Sequence, residues 1–222
     1  MVRAKTHYFD FRISPYESLW ILQKRLVGMK IKSDLPDFLL LGEHLPVYTL
    51  GKGADLANIL RGKTFFEKKG IPFYRVERGG DVTWHGPGQM VCYPLFDLQQ
   101  MGLDLYRFVY LLEEAVIETL KIFGVEGSRT PGMRGVWAKN RKVASIGVAV
   151  KGGITYHGLA ININPDLSYF DWIIPCGIRG VKMCSLSSLR GEHIPLTQVK
   201  TAFLETMARL FHLDICPAEF TL

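Results

Sequence analysis

Apolar and polar residues alternate along several short segments of the chain, which is the pattern of β-strands with one buried face. Segments of this kind, bounded by turn residues, predict strands at residues 5–11, 38–42, 47–50, 72–77, 90–95, 142–150 and 153–163. The last two are separated by Lys151-Gly152, which predicts a hairpin between them. Much of the core is therefore expected to form on a sheet.

A second pattern, with apolar residues three or four positions apart, predicts helices. Residues 14–17, S-P-Y-E, have the spacing of a capping box with proline at the first helical position. The face of this first helix that is expected to pack on the core comprises Leu19, Leu22, Leu26 and Met29. A longer helix is predicted from an Asp104 cap to Phe123, with Gly124 at its end, and a last one at residues 197–211.

The order of these elements indicates the fold class. Groups of strands, several of them joined by hairpins, are separated by helices, which is typical of an α+β (α/β) domain. We therefore expect a mixed, largely antiparallel sheet with helices packed on it. The chain has 222 residues, 48% of them hydrophobic, which is enough for one full core. Residues 1–222 are accordingly expected to form a single domain.

The chain is moderately basic, since 27 Lys and Arg against 21 Asp and Glu give a formal net charge of +6. The basic residues are dispersed and form no run of five or six, so the sequence provides no nucleic-acid-binding arm. A mild positive field favours encounter with acidic partners instead. We expect a monomer that binds no nucleic acid.

The cysteines and the N-terminal segment indicate in which cellular compartment the protein is expected. The N-terminal segment lacks the apolar stretch of a signal peptide, and the apolar run at residues 38–41 is too short to span a bilayer. No C-x-x-C pair or metal-finger spacing occurs among Cys92, Cys176, Cys184 and Cys216. Such thiols persist in a reducing compartment. We therefore expect a cytoplasmic protein with no metal site and no membrane segment.

The most unusual stretch is RGGDVTWHGPGQ, residues 78–89, which contains four glycines and lies between two predicted strands. It matches neither the dinucleotide fingerprint nor the P-loop. One interpretation is a long glycine-rich hairpin loop. The other is a ligand-binding loop, in which glycine lets a ligand approach the backbone. Arg78 and His85, which are costly to position, and Trp84, which can wall a pocket, favour the ligand-binding loop.

Cys176 is a candidate nucleophile. Pro175 before it and Gly177 after it predict a tight, irregular turn. A thiol exposed on a loop near a cation is reactive, and the Gly177 N–H is expected to be free to hold an oxyanion. The alternative interpretation is an inert loop cysteine.

A nucleophilic thiol also needs a group that takes its proton, and His85, His157 and Lys142 are the candidates. The two histidines occur in related tetrapeptides, T-W-H-G and T-Y-H-G, which is either chance or a sign of two loops facing one pocket. Lys142 opens an apolar strand, where partial desolvation favours the neutral amine. A solvated lysine at a strand end is the alternative, and sequence spacing does not show that Lys142 meets Cys176.

Several motifs occur in an order that closely resembles one protein family. They are RGGDVTWHGPGQMVCYPL from residue 78, G-V-W from 135, K-V-A-S-I-G from 142, T-Y-H-G-L-A-I-N-I from 155, D-L-S-Y-F from 166 and P-C-G from 175. Together they resemble the octanoyltransferases of lipoate biosynthesis, over roughly residues 39–189. The resemblance implies the fold shared by biotin and lipoate protein ligases.

The resemblance also implies a reaction and its residues. An octanoyl group arrives as a thioester on acyl carrier protein, Cys176 accepts it, and Lys142 activates the thiol and relays its proton. The acceptors are lysine amines of apo lipoyl domains in 2-oxoacid dehydrogenases and of the glycine cleavage H protein. No cofactor is implied. By position, the residues that line the acyl pocket are Arg78, Gly79, Gly80, Asp81, Val82, Thr83, Trp84, His85, Ser145, Ile146, Gly147, His157, Gly158, Leu159 and Ala160.

Two other functions are considered beside octanoyl transfer. An ATP-dependent lipoate or biotin ligase of the same fold has no need of Cys176. Such ligases usually carry an acidic residue after the loop histidine, where this chain has Gly86, so the sequence argues against a ligase. A non-catalytic module that binds carrier protein or nucleic acid needs neither Cys176 nor Lys142. The chain departs from the family at Cys184, a position where the family often has threonine. We expect Cys184 to lie near the pocket as a tolerated small residue. A second departure is the slightly longer segment 130–137.

Overall fold

The computed structural model describes residues 4–218, which build two sheets and the helices that cover them. The helices are α1 (Tyr16–Lys32), α2 (Lys63–Lys69), α3 (Leu105–Ile122), α4 (Leu186–Arg190) and α5 (Leu196–Leu210). The strands are β1 (Ala4–Ser14), β2 (Asp37–His44), β3 (Val47–Leu50), β4 (Phe73–Arg75), β5 (Val82–His85), β6 (Gln89–Leu95), β7 (Ser128–Thr130), β8 (Met133–Ala138), β9 (Arg141–Lys151), β10 (Ile154–Asn162) and β11 (Leu213–Pro217). Within residues 4–218, every helix is too short or too polar to cross a bilayer.

The larger sheet has the strand order β11-β1-β2-β6-β10-β9-β8-β7. Its β11, β1 and β2 are parallel, and every other neighbouring pair is antiparallel. The smaller sheet has the order β4-β3-β5. The prediction of a mixed, largely antiparallel sheet with packed helices is confirmed.

Side chains that alternate along β2, β6 and β10 divide the core into two layers. Leu39, Cys92 and Ile161 face the side covered by α3 and α5, whereas Leu40 and Tyr93 face α1. Adjacent strand residues point to opposite faces, so the near-continuous apolar runs of these central strands bury both faces. The smaller sheet has a separate core, to which Phe66 of α2 contributes.

The first helix differs from its prediction at two points. Its N-cap residue is Pro15, which makes no side-chain capping bond. The Ser14 hydroxyl donates to the Phe11 carbonyl at 2.8 Å and does not cap the helix. The predicted capping box is therefore wrong. Met29 is also wrong as a core residue, since it is 44% exposed, whereas Leu19 and Leu26 are buried as predicted.

Other boundaries agree more closely. Asp104 caps α3 by accepting a hydrogen bond from the Arg107 N–H at 2.6 Å, and Gly124 after the helix has φ 71°. The hairpin between β9 and β10 is confirmed, but its turn residues are Gly152 and Gly153, both at positive φ, rather than Lys151-Gly152. Two successive glycines suit the two-residue turn that requires positive φ at both positions.

Candidate active site

A cavity of about 210 Å³ lies between β9 and β10 of the larger sheet and β5 of the smaller one. Its walls include many residues singled out in the sequence: Arg78, Gly79, Gly80, Asp81, Thr83, His85, Lys142, Ser145, Ile146, Gly147, His157, Gly158, Leu159, Ala160 and Cys176. Residues not anticipated as walls are Tyr16, Tyr93, Gly132, Met133, Arg134 and Ile178. The stretch 78–89 is not one long loop, because residues 82–85 form β5.

Val82 and Trp84 do not belong to this wall, although the sequence places them in the same stretch. Both are buried in the core of the smaller sheet, where the Trp84 ring stacks on Tyr169 with centroids 4.7 Å apart. Alternation along β5 accounts for this correction, since Thr83 and His85 point to the cavity and their neighbours point away from it. Cys184 is fully buried in the main core and lines no part of the cavity either.

The cavity brings together two residues that are 34 positions apart in sequence. Lys142 Nζ lies 3.4 Å from Cys176 Sγ, within hydrogen-bonding reach of a sulfur atom. Ser145 Oγ lies 3.7 Å from the same sulfur. The thiol therefore has an amine and a hydroxyl as neighbours, which suits proton transfer to or from the sulfur.

The position of Lys142 depends on a glycine opposite it. Lys142 is only 2% exposed, and a Cβ on Gly135 would lie 2.7 Å from its Cε. Gly135 also has φ 116°, a conformation that favours glycine. Its N–H donates to the buried Glu113 carboxylate at 3.1 Å, and Arg129 pairs with the same carboxylate. Thus α3 fixes the backbone that leaves room for the amine.

Cys176 lies in a short turn with unusual backbone geometry. Its φ is 58°, which is uncommon for a residue with a side chain, and Gly177 follows with φ 69°. The Gly177 N–H donates to the Ile174 carbonyl at 3.1 Å. It is therefore engaged in the turn, and the expectation that it is free to hold an oxyanion is wrong. The irregular turn predicted around Cys176 is confirmed.

His85 and His157 line the cavity, but their rings contact other groups than the sulfur. His85 Nδ1 is 2.7 Å from Gln89 Oε1, and His157 Nε2 is 3.3 Å from Glu77 Oε2. Burial lowers the pKa of His85 to about 3 and that of His157 to about 4. Both imidazoles are therefore neutral and weakly basic near pH 7. Of the three candidate bases, Lys142 is the one in contact with Cys176.

Arg78 brings a buried positive charge to the cavity wall. Its guanidinium donates to the Thr49 carbonyl at 2.7 Å, the Thr49 hydroxyl and the Gly79 carbonyl. All of these acceptors are neutral, and burial lowers the pKa of Arg78. The nearby glycine Gly147 makes room for this side chain, since a Cβ there would lie 3.0 Å from Arg78 Cδ.

Gly147 of β9 and Gly158 of β10 line the cavity, and each also lies close to other protein atoms. A Cβ on Gly147 would meet Arg78, and one on Gly158 would lie 2.1 Å from the Cys92 carbonyl oxygen. Neighbouring backbone therefore requires glycine at position 158, and a side chain at position 147 would crowd Arg78. The apolar wall comes from larger residues such as Ile146 and Leu159.

Comparisons with known proteins identify the family of the chain. The sequence profile of the lipoyl protein ligase A/B catalytic domain family matches residues 15–208. An octanoyltransferase of Flavobacterium johnsoniae is 43% identical over 231 aligned positions, covering 96% of this chain and 100% of that protein. An octanoyltransferase of Solibacter usitatus is 41% identical and covers 91% of both chains.

The chain belongs to the octanoyltransferase family. It is accordingly an acyltransferase of lipoate biosynthesis. The crystal structure of a lipoate-protein ligase A bound with ATP is similar in fold to this octanoyltransferase, with a TM-score of 0.79 over 99% of this chain and 90% of the ligase. At 14% identity this likeness concerns the fold alone, and it confirms the lipoate protein ligase-like fold expected from sequence.

Asn58 connects the two loops of the octanoyltransferase cavity, and sequence analysis gave no sign of it. Its amide donates to Asp81 Oδ2 at 2.7 Å, and its carbonyl accepts the Ile174 N–H at 2.7 Å. A Cβ on Gly177 would lie 2.7 Å from the same carboxylate oxygen of Asp81. Asn58 therefore holds Asp81 against the turn that carries Cys176.

Asn58→Ala is expected to slow alkylation of Cys176 by iodoacetamide about tenfold at pH 7. The reason is the loss of a hydrogen bond to a charged group, worth about 1.5–3 kcal/mol, next to the turn that carries Cys176. Asn164→Ala is the matched control, because Asn164 bridges a remote loop through two similar bonds to Ile194. Equal alkylation rates for both variants would contradict the role of Asn58.

Proposed function

We propose that this octanoyltransferase carries the octanoyl group on Cys176 as a thioester. The observation that supports this most strongly is the 3.4 Å separation of Lys142 Nζ and Cys176 Sγ inside a cavity with apolar walls. A thiol alone is mostly protonated near neutral pH and is a weaker nucleophile than its thiolate. A buried amine in contact with the sulfur provides the proton acceptor.

In the first half-reaction, Lys142 accepts the proton of the Cys176 thiol, and the sulfur attacks the carbonyl carbon of an octanoyl thioester. The new carbon–sulfur bond forms, the tetrahedral intermediate collapses, and the donor's carbon–sulfur bond breaks. Lys142 returns the proton to the departing thiolate. The products are S-octanoyl-Cys176 and the free thiol of the donor.

In the second half-reaction, the neutral ε-amine of an acceptor lysine attacks the Cys176 thioester. An amide bond forms as the carbon–sulfur bond to Cys176 breaks, and the proton lost by the amine passes through Lys142 to the sulfur. The enzyme returns to its starting state. Because a thioester is converted to an amide, the transfer is downhill and needs no ATP.

The acyl tail occupies the cavity along β9 and β10. At about 0.8 kcal/mol per buried methylene, the six methylenes of an octanoyl group contribute about 5 kcal/mol to binding. Ile146, Leu159 and Ala160 provide apolar contacts, and the Arg78–Asp81 segment and Thr83 complete the wall. The phenols of Tyr16 and Tyr93 and the imidazoles of His85 and His157 line the rest of the cavity.

The donor is octanoyl-acyl carrier protein, and the acceptors are apo lipoyl domains of 2-oxoacid dehydrogenases and the glycine cleavage H protein. The net charge of +6 favours encounter with acidic partners of this kind. We place the enzyme in the cytoplasm, acting as a monomer. All four cysteines are free thiols, as a reducing compartment requires.

Octanoyl-acyl carrier protein is expected to modify an apo lipoyl domain in the absence of ATP and metal ions. The mass of the lipoyl domain is measured over time in reactions with and without ATP, with free octanoate as a second donor. The expected result is equal transfer from the carrier protein in both reactions and none from octanoate. Transfer from octanoate that depends strictly on ATP would instead identify a ligase.

A further inference from the structure

A second depression, here called the dyad groove, lies beside the cavity. Its volume is about 510 Å³, and the walls that matter here are Arg141, Ile174, Pro175, Ile178, Lys182 and Met183. Apolar side chains form most of the groove, and the charged groups in its wall are Arg141, Lys182 and Asp171.

The dyad groove is built from the two backbone segments that carry the reacting residues. Pro175 and Ile178 belong to the turn of Cys176. Lys182 and Met183 run beside Lys142, whose N–H donates to the Lys182 carbonyl at 2.8 Å. Ile178 lines both the cavity and the groove, so the two spaces share a wall at the nucleophile.

The part of the donor attached to the thioester sulfur needs a binding space beside Cys176. A thioester has two substituents, the acyl chain on its carbonyl carbon and the arm on its sulfur, and the proposed function places the acyl chain in the cavity. We propose that the dyad groove binds the pantetheine arm of the donor, with Arg141 and Lys182 recognising the phosphate at the end of that arm. This inference rests on the proposed function and adds a subsite to it.

The charges of the groove suit an anion. Within residues 4–218, none of the salt bridges engages Arg141, Lys182 or Asp171. Two cations against one carboxylate leave a positive balance, and both cations can donate to phosphate oxygens. An acceptor lysine reaches the enzyme as a cation, which the same pair repels. The groove therefore favours the donor arm over the acceptor arm.

The test compares two donors that differ only in the phosphate, octanoyl-phosphopantetheine and octanoyl-pantetheine. The ratio of their kcat/KM values for acylation of Cys176 reports how much the phosphate contributes. We expect the wild-type enzyme to favour the phosphorylated donor about tenfold at low ionic strength, as for charge-assisted contacts. In the double variant Arg141→Gln/Lys182→Gln the ratio falls to about one, whereas in Asp171→Asn it rises.

A matched control removes two charges elsewhere. Lys68 and Lys121 are exposed lysines in the last turns of α2 and α3 that line neither space, so Lys68→Gln/Lys121→Gln keeps the wild-type ratio. A ratio near one in the wild type overturns the subsite. The subsite is also overturned if Arg134→Gln, at the cavity wall, loses the preference for the phosphorylated donor while Arg141→Gln/Lys182→Gln keeps it. If the two small donors leave Cys176 unmodified while octanoyl-acyl carrier protein acylates it, the subsite is overturned; if octanoyl-acyl carrier protein also leaves Cys176 unmodified, the proposed function itself fails.

Discussion

Lys142→Met is expected to slow acylation of Cys176 roughly 100-fold at pH 7, because the sulfur loses the group that takes its proton. Proton transfer by a positioned side chain contributes about 10²–10⁴-fold to a rate. Methionine keeps the length and most of the volume of lysine, so the packing against Gly135 is preserved. Replacing a buried polar side chain by an apolar one of similar size generally preserves the fold.

The measurement is the rate of enzyme acylation by octanoyl-acyl carrier protein, followed by intact mass between pH 6 and pH 10. Because hydroxide can remove the thiol proton at high pH, the deficit of Lys142→Met is expected to shrink as pH rises. Lys139→Met, on the exposed turn between β8 and β9, serves as the control and keeps the wild-type profile. A wild-type rate for Lys142→Met near pH 7 would exclude Lys142 as the base.

Cys176→Ser is expected to reduce transfer of octanoyl to the lipoyl domain on the order of 10³-fold or more. A serine hydroxyl is much less acidic than a thiol, so the amine of Lys142 cannot generate the nucleophile. Mutations of nucleophiles in covalent mechanisms have effects of this size or larger. Steady-state transfer from octanoyl-acyl carrier protein measures the effect.

Cys216→Ser is the matched control for Cys176→Ser. Cys216 is a half-buried free thiol on β11, at the far edge of the larger sheet from β9. This variant is expected to transfer octanoyl at the wild-type rate. Transfer by Cys176→Ser within a fewfold of wild type would mean that no acyl group passes through Cys176.

Much of the fold could be predicted from local patterns. Asp104 and Gly124 bound α3 because capping chemistry is local, and the apolar runs of β2, β6 and β10 were recognisable because both faces of these strands are buried. The errors have local causes as well. The Ser14 hydroxyl donates to the Phe11 carbonyl and does not cap the helix. Met29 fits the helical period, but its side chain is exposed.

The contacts of the site could not be predicted in the same way, because they depend on tertiary packing. Sequence spacing does not reveal that Lys142 approaches Cys176, and nothing near Asn58 or Glu113 indicates that these residues support the segments of Cys176 and Lys142. Trp84 shows the opposite case, in which a residue inside the right motif points away from the cavity. The family resemblance indicated that residues 78–85 line the cavity. The alternation of side chains along β5 then decides which of them face it.

The most direct experiment follows one round of transfer by intact mass spectrometry. Wild-type enzyme is mixed with octanoyl-acyl carrier protein, and apo lipoyl domain is then added in excess. We expect one octanoyl group on Cys176, absent from Cys176→Ser, that disappears at the same rate as octanoylated lipoyl domain forms. Product formation without any acylated enzyme, or an adduct that persists while the lipoyl domain is modified, would contradict a covalent route through Cys176.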